Sequence, residues 1–186
     1  MVERAADGTI TTVVPKISAL YSSTGGFHPN AIHYYPSDDS YTIGDRNPNL
    51  FVKITRQGQL LWQFGGSNPK GNHFHGTWQV NHGHQLLDNG HFLFFNNGAM
   101  GQSTVLEFAL DESTWTATEV FRYVPPQASL VLGDVERLPN GNTLVTDSNS
   151  GVIEEISPAG APVQRFSTGS FGYADFRTSL YGPPPR

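Results

Sequence analysis

Short apolar runs that alternate with polar residues recur along the whole chain, and turn residues separate them. One such unit combines Leu86-Leu87, the turn residues Asp88-Asn89-Gly90 and the run Phe92-Leu93-Phe94-Phe95. Because Asn-Gly supplies the residues with positive φ that a tight turn needs, we predict a β-hairpin here. No window shows the i, i+3, i+4, i+7 apolar spacing of an amphipathic helix. The pattern therefore predicts an all-β chain.

This hairpin pattern repeats at intervals of about 51 residues. The turns Ser37-Asp38-Asp39, Asp88-Asn89-Gly90 and Pro139-Asn140-Gly141 are followed by the strands SYTIGDR, HFLFFNN and NTLVTDS. Each copy continues into another strand, turn and strand, so each repeat has four strands. Four antiparallel strands at this period are typical of a β-propeller blade.

The repeat divides the chain into about three blades and part of another. We expect the outer strand of a preceding blade and a linker at 1–27, blades at 28–66, 67–124 and 125–170, and a C-terminal tail at 171–186. Three blades do not close a ring, and soluble proteins rarely leave apolar sheet faces uncovered. We therefore expect that the chain is the carboxyl part of a propeller completed by a second chain, or that two copies close one ring. An open or rearranged sheet is the remaining alternative.

Charge and composition exclude several partners. The net charge is -5 with only 11 Lys and Arg residues, which gives no electrostatic footprint for nucleic acid or for an anionic membrane surface. No apolar run reaches the roughly 18 residues of a membrane span, and the N-terminus lacks the build of a signal peptide. The chain has no cysteine, so disulfides and thiolate metal sites are excluded.

Histidines concentrate in the segment from Asn72 to Gly98, which holds five of the chain's seven. His82 and His84 lie two residues apart on a predicted strand, so both point to one face of the sheet. In the repeat alignment His82 corresponds to Ala31 and Gly133, which are small residues. This favours a functional imidazole over a packing residue, although a histidine that serves only as a hydrogen-bonding strut is the alternative.

Two further interpretations concern the remaining histidines and the large aromatic residues. The pairs His73-x-His75 and His82-x-His84 can each turn two imidazoles to one side of a strand, which leaves a metal site as a weaker alternative. We expect His33 and His91 to be ordinary strand residues at the solvent edge. We interpret six large aromatic residues as blade packing: Trp62, Trp78, Phe92, Phe94, Phe95 and Trp115.

An ordered set of segments resembles the bacterial arylsulfotransferase propellers, which transfer sulfuryl groups without a nucleotide donor. The segments are His28-Pro-Asn30-Ala-Ile32, YYPSDDSYTIGDR ending at Arg46, LLWQFGG, NHGHQLLDNGHFLFFNNG, GDVERLPNGNTLV and the tail RTSLYG. They run in the family's order from about residue 28 to the end of the chain and are similar to the later blades of a six-bladed ring. The family's Phe-Asp-Asn-Gly stands here as Phe95-Asn96-Asn97-Gly98.

The resemblance implies a role for five residues. The family's histidine nucleophile corresponds to His82, with His84 as the near competitor and a possible substrate contact. Its His-x-Asn pair corresponds to His28 and Asn30, and its sulfate-holding arginine corresponds to Arg46. In such a site Arg46 presents a fork of donors to sulfate oxygens, Asn30 adds a donor, and His28 protonates the leaving phenolate.

The resemblance also implies an activity. We expect sulfuryl transfer between phenolic compounds through a histidine intermediate, with a phenolic sulfate as donor, a phenol as acceptor and no cofactor. It places the protein in the periplasm or outside the cell. The competing hypothesis from another class is a non-catalytic propeller subunit that acts as a binding or assembly platform.

Overall fold

The computed structural model describes residues 1–98, 101–170 and 172–177, and within these ranges the regular structure is almost entirely β. The strands are β1 Val2–Arg4, β2 Ile10–Thr12, β3 Pro29–Tyr35, β4 Ser40–Asp45, β5 Leu50–Thr55, β6 Leu60–Gly65, β7 His73–Phe74, β8 Asn81–Leu86, β9 His91–Asn96, β10 Thr104–Asp111, β11 Thr116–Tyr123, β12 Asp134–Arg137, β13 Thr143–Asp147, β14 Val152–Ile156 and β15 Pro162–Ser167. A 3₁₀ turn spans Ile17–Ala19. In the described ranges no helix is long and apolar enough to cross a membrane. The all-β prediction is confirmed.

The strands form three main sheets, each containing an antiparallel meander of four consecutive strands, and the first sheet has a fifth strand. Their orders are β3-β4-β5-β6-β7, β8-β9-β10-β11 and β12-β13-β14-β15, and β1 and β2 form a separate hairpin. The four-stranded antiparallel unit expected from the repeat is therefore present. The fifth strand of the first sheet, β7, was not predicted; it pairs in parallel with β6 through Gln63 and Phe64. A strand of two residues is too short to show a periodic pattern, so β7 could not be predicted from the sequence.

The turns form at the predicted residues. Gly90 and Gly141 have φ angles of 81° and 86°, and Asp39 has a φ of 53°. A left-handed residue at the hairpin tip matches the twist of the two strands it joins. The turn chemistry thus fixes the register of the second strand of each sheet.

The chain folds into two compact units, and the first comprises residues 1–81 and 110–117. Here the N-terminal segment packs on the sheet through a buried cluster: Val13, Val14, Leu20, Tyr21, Tyr41, Ile43, Leu50, Val52 and Ile54. β2 ends at Thr12. Val13 and Val14 leave the β1–β2 hairpin and bury their side chains in this cluster instead.

Aromatic rings fill another part of the first unit. Trp78 packs against Phe51 and Phe64 with ring centroids 5.5 and 4.7 Å away. Phe74 packs against Trp62 at 5.6 Å and against Trp115, at the tip of the β10–β11 hairpin, at 5.2 Å. The packing role predicted for the three tryptophans is confirmed.

The second unit comprises the described residues of 82–109 and those from Thr118 to Arg177. Its apolar core joins β9 and β10 to the last sheet through Leu93, Phe95, Val105, Val135, Val145 and Ile156. Beside this core the buried carboxylate of Glu107 pairs with Arg137 and accepts a hydrogen bond from His91 Nδ1 at 2.7 Å. His91 is therefore a half-buried partner of an ion pair, and the prediction of an ordinary solvent-edge residue is wrong. Glu107 lies on the next strand of the sheet, a contact that the sequence pattern does not reveal.

Parts of two predicted features lie outside the described residues. The segment RTSLYG begins at Arg177, and residues 178–182 of it are among those not described. The same holds for most of the expected tail at 171–186.

Candidate functional site

Three of the predicted site residues come together at one end of β3 and β4. His28 precedes β3, Asn30 lies in it, and Arg46 follows β4. Because the two strands are antiparallel, the start of β3 meets the end of β4, and the backbone N–H of Arg46 donates to the carbonyl oxygen of His28 at 3.2 Å. His28 is exposed and Arg46 is half-buried. The fold of the first unit thus places an imidazole, an amide and a guanidinium at the same edge.

Asp45 organises this edge. Its buried carboxylate accepts the Tyr21 hydroxyl at 2.7 Å and the backbone N–H groups of His28 and Asn47 at 2.9 and 3.1 Å. An ion pair between Asp45 and Arg46 was the alternative role for the arginine. Among the ion pairs of the described residues Arg46 does not occur, so its guanidinium is not committed to a carboxylate.

Replacing Tyr21 with phenylalanine tests this anchor. Loss of a buried hydroxyl that donates to a carboxylate should lower the free energy of unfolding by about 2 kcal/mol. The matched control is Tyr34→Phe, because the Tyr34 hydroxyl also donates to a carboxylate at 2.7 Å, that of Asp39, but is exposed. Urea denaturation should show little change for the control, and equal effects of the two substitutions would contradict the anchoring role.

Asn30 is partly committed to the backbone. Its Nδ2 donates to the carbonyl oxygen of Asn81 at 2.8 Å, and its Oδ1 is buried without a hydrogen-bond partner. Asn81 is itself buried, with its amide bound to Trp78 Nε1 and to the carbonyl of Leu50. Asn81 immediately precedes His82 in the chain. Asn30 therefore fixes the backbone directly before the predicted nucleophile, and one of its amide hydrogens remains for a ligand.

His82 lies in the second unit, near the start of β8, and is only 3% exposed. Its Nδ1 forms a short hydrogen bond with Oδ1 of Asn97, the residue that follows β9. Asn97 is fully buried and donates from Nδ2 to the carbonyl oxygens of Ser129 and Leu132 at 2.6 and 2.7 Å. The imidazole thus makes a polar contact inside the protein.

His84 has a different environment. It is fully buried, and its ring stacks on Phe92 with a centroid distance of 5.4 Å and an interplanar angle of 14°. A flat stack on a core aromatic is typical of a packing residue. Of the two strand histidines, His82 is therefore the stronger candidate for chemistry.

The alternative metal site receives little support. His73 and His75 form an edge-to-face pair with centroids 4.4 Å apart, and His73 Nε2 bonds the carbonyl oxygen of Gly65 at 3.1 Å. Burial lowers the pKa of His73 and so favours its neutral form. Across the described residues no group of three or more histidine or carboxylate side chains is placed to hold a metal ion.

Sequence reasoning missed Asp134 at the start of β12. Its carboxylate lies against the backbone of Gly83, where a Cβ would stand 1.6 Å from Asp134 Oδ1. Burial, helped by the nearby carboxylates of Asp175 and Glu136, raises the pKa of Asp134 to about 7. The carboxyl group is thus half-protonated near neutral pH. Asp134 and Gly83 are far apart in sequence. The one sequence feature that points to this contact is that the residue between His82 and His84 is a glycine.

This pKa predicts a pH-dependent effect of Asp134→Asn. The folded-state pKa lies above the unfolded value of 3.8, so the folded protein binds more protons between about pH 4 and 7. Wild-type stability should therefore fall relative to the variant as the pH rises through that window, by roughly 4 kcal/mol in total. Denaturation curves at several pH values measure this difference. Asp88→Asn, at an exposed turn, controls for the substitution itself, and a variant advantage that does not grow with pH would contradict the prediction.

Comparison with known proteins adds the family. The model of the arylsulfotransferase (ASST) family matches residues 21–169, which is most of the chain. The chain belongs to the arylsulfotransferase family. All five residues that the resemblance singled out, His28, Asn30, Arg46, His82 and His84, lie inside the region that matches the arylsulfotransferase model. A comparison with curated protein sequences finds no match.

Solved structures show the same type of fold at low sequence identity. A functionally unknown protein from Desulfotomaculum acetoxidans matches with a TM-score of 0.58 and 14% identity over 91% of this chain and 51% of that chain. Virginiamycin B lyase from Staphylococcus aureus matches with a TM-score of 0.53 and 16% identity over 90% of this chain and 48% of that chain. The periplasmic gluconolactonase of Pseudomonas aeruginosa matches with a TM-score of 0.53 and 16% identity over 78% of this chain and 41% of that chain. The propeller fold class expected for this arylsulfotransferase family member is confirmed, and the chain spans about half the length of these structures.

Proposed function

We propose that the protein transfers sulfuryl groups between phenolic compounds and that His82 is the nucleophile. The observation that carries the proposal is the buried hydrogen bond that holds the His82 imidazole, within a region that matches the arylsulfotransferase family model. A fixed neutral imidazole is a competent nucleophile for an electrophilic sulfur. His84, stacked on Phe92, keeps a packing role in this proposal and at most borders the substrate.

The proposed reaction has two half-reactions. In the first, an imidazole nitrogen of His82 forms a bond to the sulfur of an aryl sulfate while the bond from sulfur to the phenolic oxygen breaks. The departing phenolate takes a proton from His28, which is exposed and can exchange protons with water. In the second, the acceptor phenol attacks the sulfur, the N–S bond breaks, and His28 receives the phenolic proton. Atoms and charge balance over the cycle without a cofactor.

We assign the direct hydrogen bonds to the sulfate group to Arg46 and Asn30. The guanidinium of Arg46 offers donors in a fork that matches two sulfate oxygens, and no ion pair in the described residues competes for it. Asn30 adds one amide hydrogen and also holds the carbonyl of Asn81. Stabilisation of the negative charge that spreads over the transferred group is the main catalytic contribution we assign to this pair.

We further propose that more blades, supplied by a second chain or a second copy, complete the ring. Two observations support this: the chain spans about half the length of the solved structures that it matches, and β15 is exposed along its whole length, with Val163 and Phe166 more than half exposed. Light scattering during size-exclusion chromatography should therefore give a particle well above the 20.3 kDa of one chain. A single species of that mass would contradict a closed ring.

We also propose that the protein acts in the periplasm or outside the cell. The support is the family resemblance, and one structural neighbour is a periplasmic gluconolactonase by name. Fractionation of the natural host tests this proposal, and recovery of the protein in the cytoplasmic fraction would contradict it.

Turnover is the test of the function. The protein, together with any partner that co-purifies with it, is incubated with 4-nitrophenyl sulfate and a phenol acceptor. We expect nitrophenolate release that depends on the acceptor, with the parallel-line kinetics of a ping-pong reaction. If no pairing of donor, acceptor and partner gives turnover, the protein is a non-catalytic propeller subunit and the sulfuryl-transfer proposal is wrong.

A further inference from the structure

The buried side chain of Asn97 is held by hydrogen bonds from both ends of its amide group. It follows β9, it is fully buried, and its Nδ2 donates to two backbone carbonyls, Ser129 at 2.6 Å and Leu132 at 2.7 Å. An amide nitrogen carries two hydrogens, so both of its donors are used. The two carbonyls thereby fix the orientation of the amide, and Oδ1 is the atom that faces His82.

This orientation decides where the proton of His82 lies. An amide oxygen only accepts hydrogen bonds, so the Nδ1 of His82 must be the donor. A neutral imidazole has one N–H, and Nε2 therefore carries the lone pair. We propose that Asn97 is a positioning residue that holds His82 in the Nδ1–H tautomer and makes Nε2 the atom that bonds to sulfur. The inference rests on the proposed function and deepens it.

The loop that carries the two carbonyls is itself fixed. The backbone N–H of Ser129 donates to Ser103 Oγ at 2.9 Å, and the Ser129 hydroxyl donates to the carbonyl of Val131 at 2.9 Å. Leu132 has a φ of 62°, a left-handed conformation that a leucine rarely adopts. Its carbonyl accepts a hydrogen bond from Asn97 in this conformation. Backbone strain of this kind persists only where surrounding contacts over-determine it.

The repeat provides an internal comparison. The positions equivalent to Asn97 hold Arg46 and Ser148, and neither side chain has a carbonyl oxygen. The amide therefore occurs in the repeat whose strand carries His82. During transfer, Nε2 bonds to sulfur while the electron pair of the S–O bond leaves with the phenolate, and the imidazole ring becomes cationic with its proton on Nδ1. The Asn97 oxygen accepts that N–H throughout, so it stabilises the charge as it develops.

Nitrogen NMR of histidine-labelled protein tests the proposal without any need for turnover. At a pH where His82 is neutral, its Nδ1 should show the shift of a protonated nitrogen and its Nε2 the shift of an unprotonated one. The opposite assignment in the wild-type protein overturns the proposal. In Asn97→Ala, which lacks the acceptor, the two tautomers should become mixed, and a retained pure Nδ1–H form would overturn the positioning role.

Two controls make the outcome specific. Asn96→Ala removes the neighbouring amide, which donates to Thr104 Oγ1, and should leave the His82 tautomer unchanged. In active enzyme Asn97→Ala should lower kcat at least about tenfold with little change in KM, as expected when a catalytic imidazole loses its orienting partner. If Asn97→Ala does not fold, the wild-type tautomer alone decides. If His82 has the Nδ1–H tautomer but the protein shows no turnover, the proposed function is wrong and the positioning role of Asn97 is retained.

Discussion

Replacing His82 with alanine should abolish sulfuryl transfer, with a loss of at least about 10³-fold in kcat, because no other group replaces a missing nucleophile. The protein fold should survive, since the imidazole makes a polar contact with Asn97 and is not a core hydrophobe. Initial rates with 4-nitrophenyl sulfate and a phenol acceptor measure the effect. Turnover that is unchanged in this variant would remove His82 from the mechanism.

Two further variants separate chemistry from structure in that experiment. His82→Gln keeps a side chain that can donate to Asn97 Oδ1 but lacks a nucleophilic imidazole, so it should be folded and as inactive as the alanine variant. His33→Ala removes an exposed histidine from β3 and should leave the rate within a factor of about two. Loss of activity in the His33 variant would indicate that histidine substitutions act through general instability.

Replacing Gly83 with alanine should lower the free energy of unfolding by about 3 kcal/mol. The added Cβ would lie 1.6 Å from Oδ1 and 2.7 Å from the backbone Cα of Asp134, so β12 as well as the carboxylate must move. The backbone of Gly83 lies outside the left-handed region, so the effect isolates steric overlap from conformational strain.

Gly25→Ala is the matched control for that substitution. Gly25 also lies outside the left-handed region, and a Cβ there would meet nothing within 4 Å. Its replacement should be neutral or slightly stabilising, because alanine reduces the entropy of the unfolded chain. Equal changes in the urea midpoints of the two variants would show that the approach of Asp134 to Gly83 does not constrain the fold.

Local sequence signals were sufficient for the sheets. The Asp-Asn-Gly and Asn-Gly turns carry the left-handed residues that a hairpin needs, and the apolar runs after them form strands that are buried along most of their length. The repeat then extended one hairpin to three sheets. It did not predict β7, because a two-residue parallel pairing depends on the neighbouring strand rather than on its own pattern.

The site was predictable only in part, for the same reason. The adjacency of His28 and Arg46 follows from two antiparallel strands, so sequence order was enough to place them together. The contact of His82 with Asn97 joins the two strands of the predicted hairpin, so it lies within one local element. The carbonyls of Ser129 and Leu132 that orient Asn97 are more than thirty residues away, and the approach of Asp134 to Gly83 is as distant in sequence. Contacts of this range have no local signature.

The most direct test of the central claim is the identification of the sulfated residue. The protein is mixed with 4-nitrophenyl sulfate in the absence of an acceptor, digested under conditions that preserve N–S bonds, and analysed by mass spectrometry. We expect one sulfuryl group on the peptide that contains His82, its loss on addition of a phenol, and no label in His82→Gln. A label on another residue, or one that persists in His82→Gln, would contradict the assignment of His82 as the nucleophile.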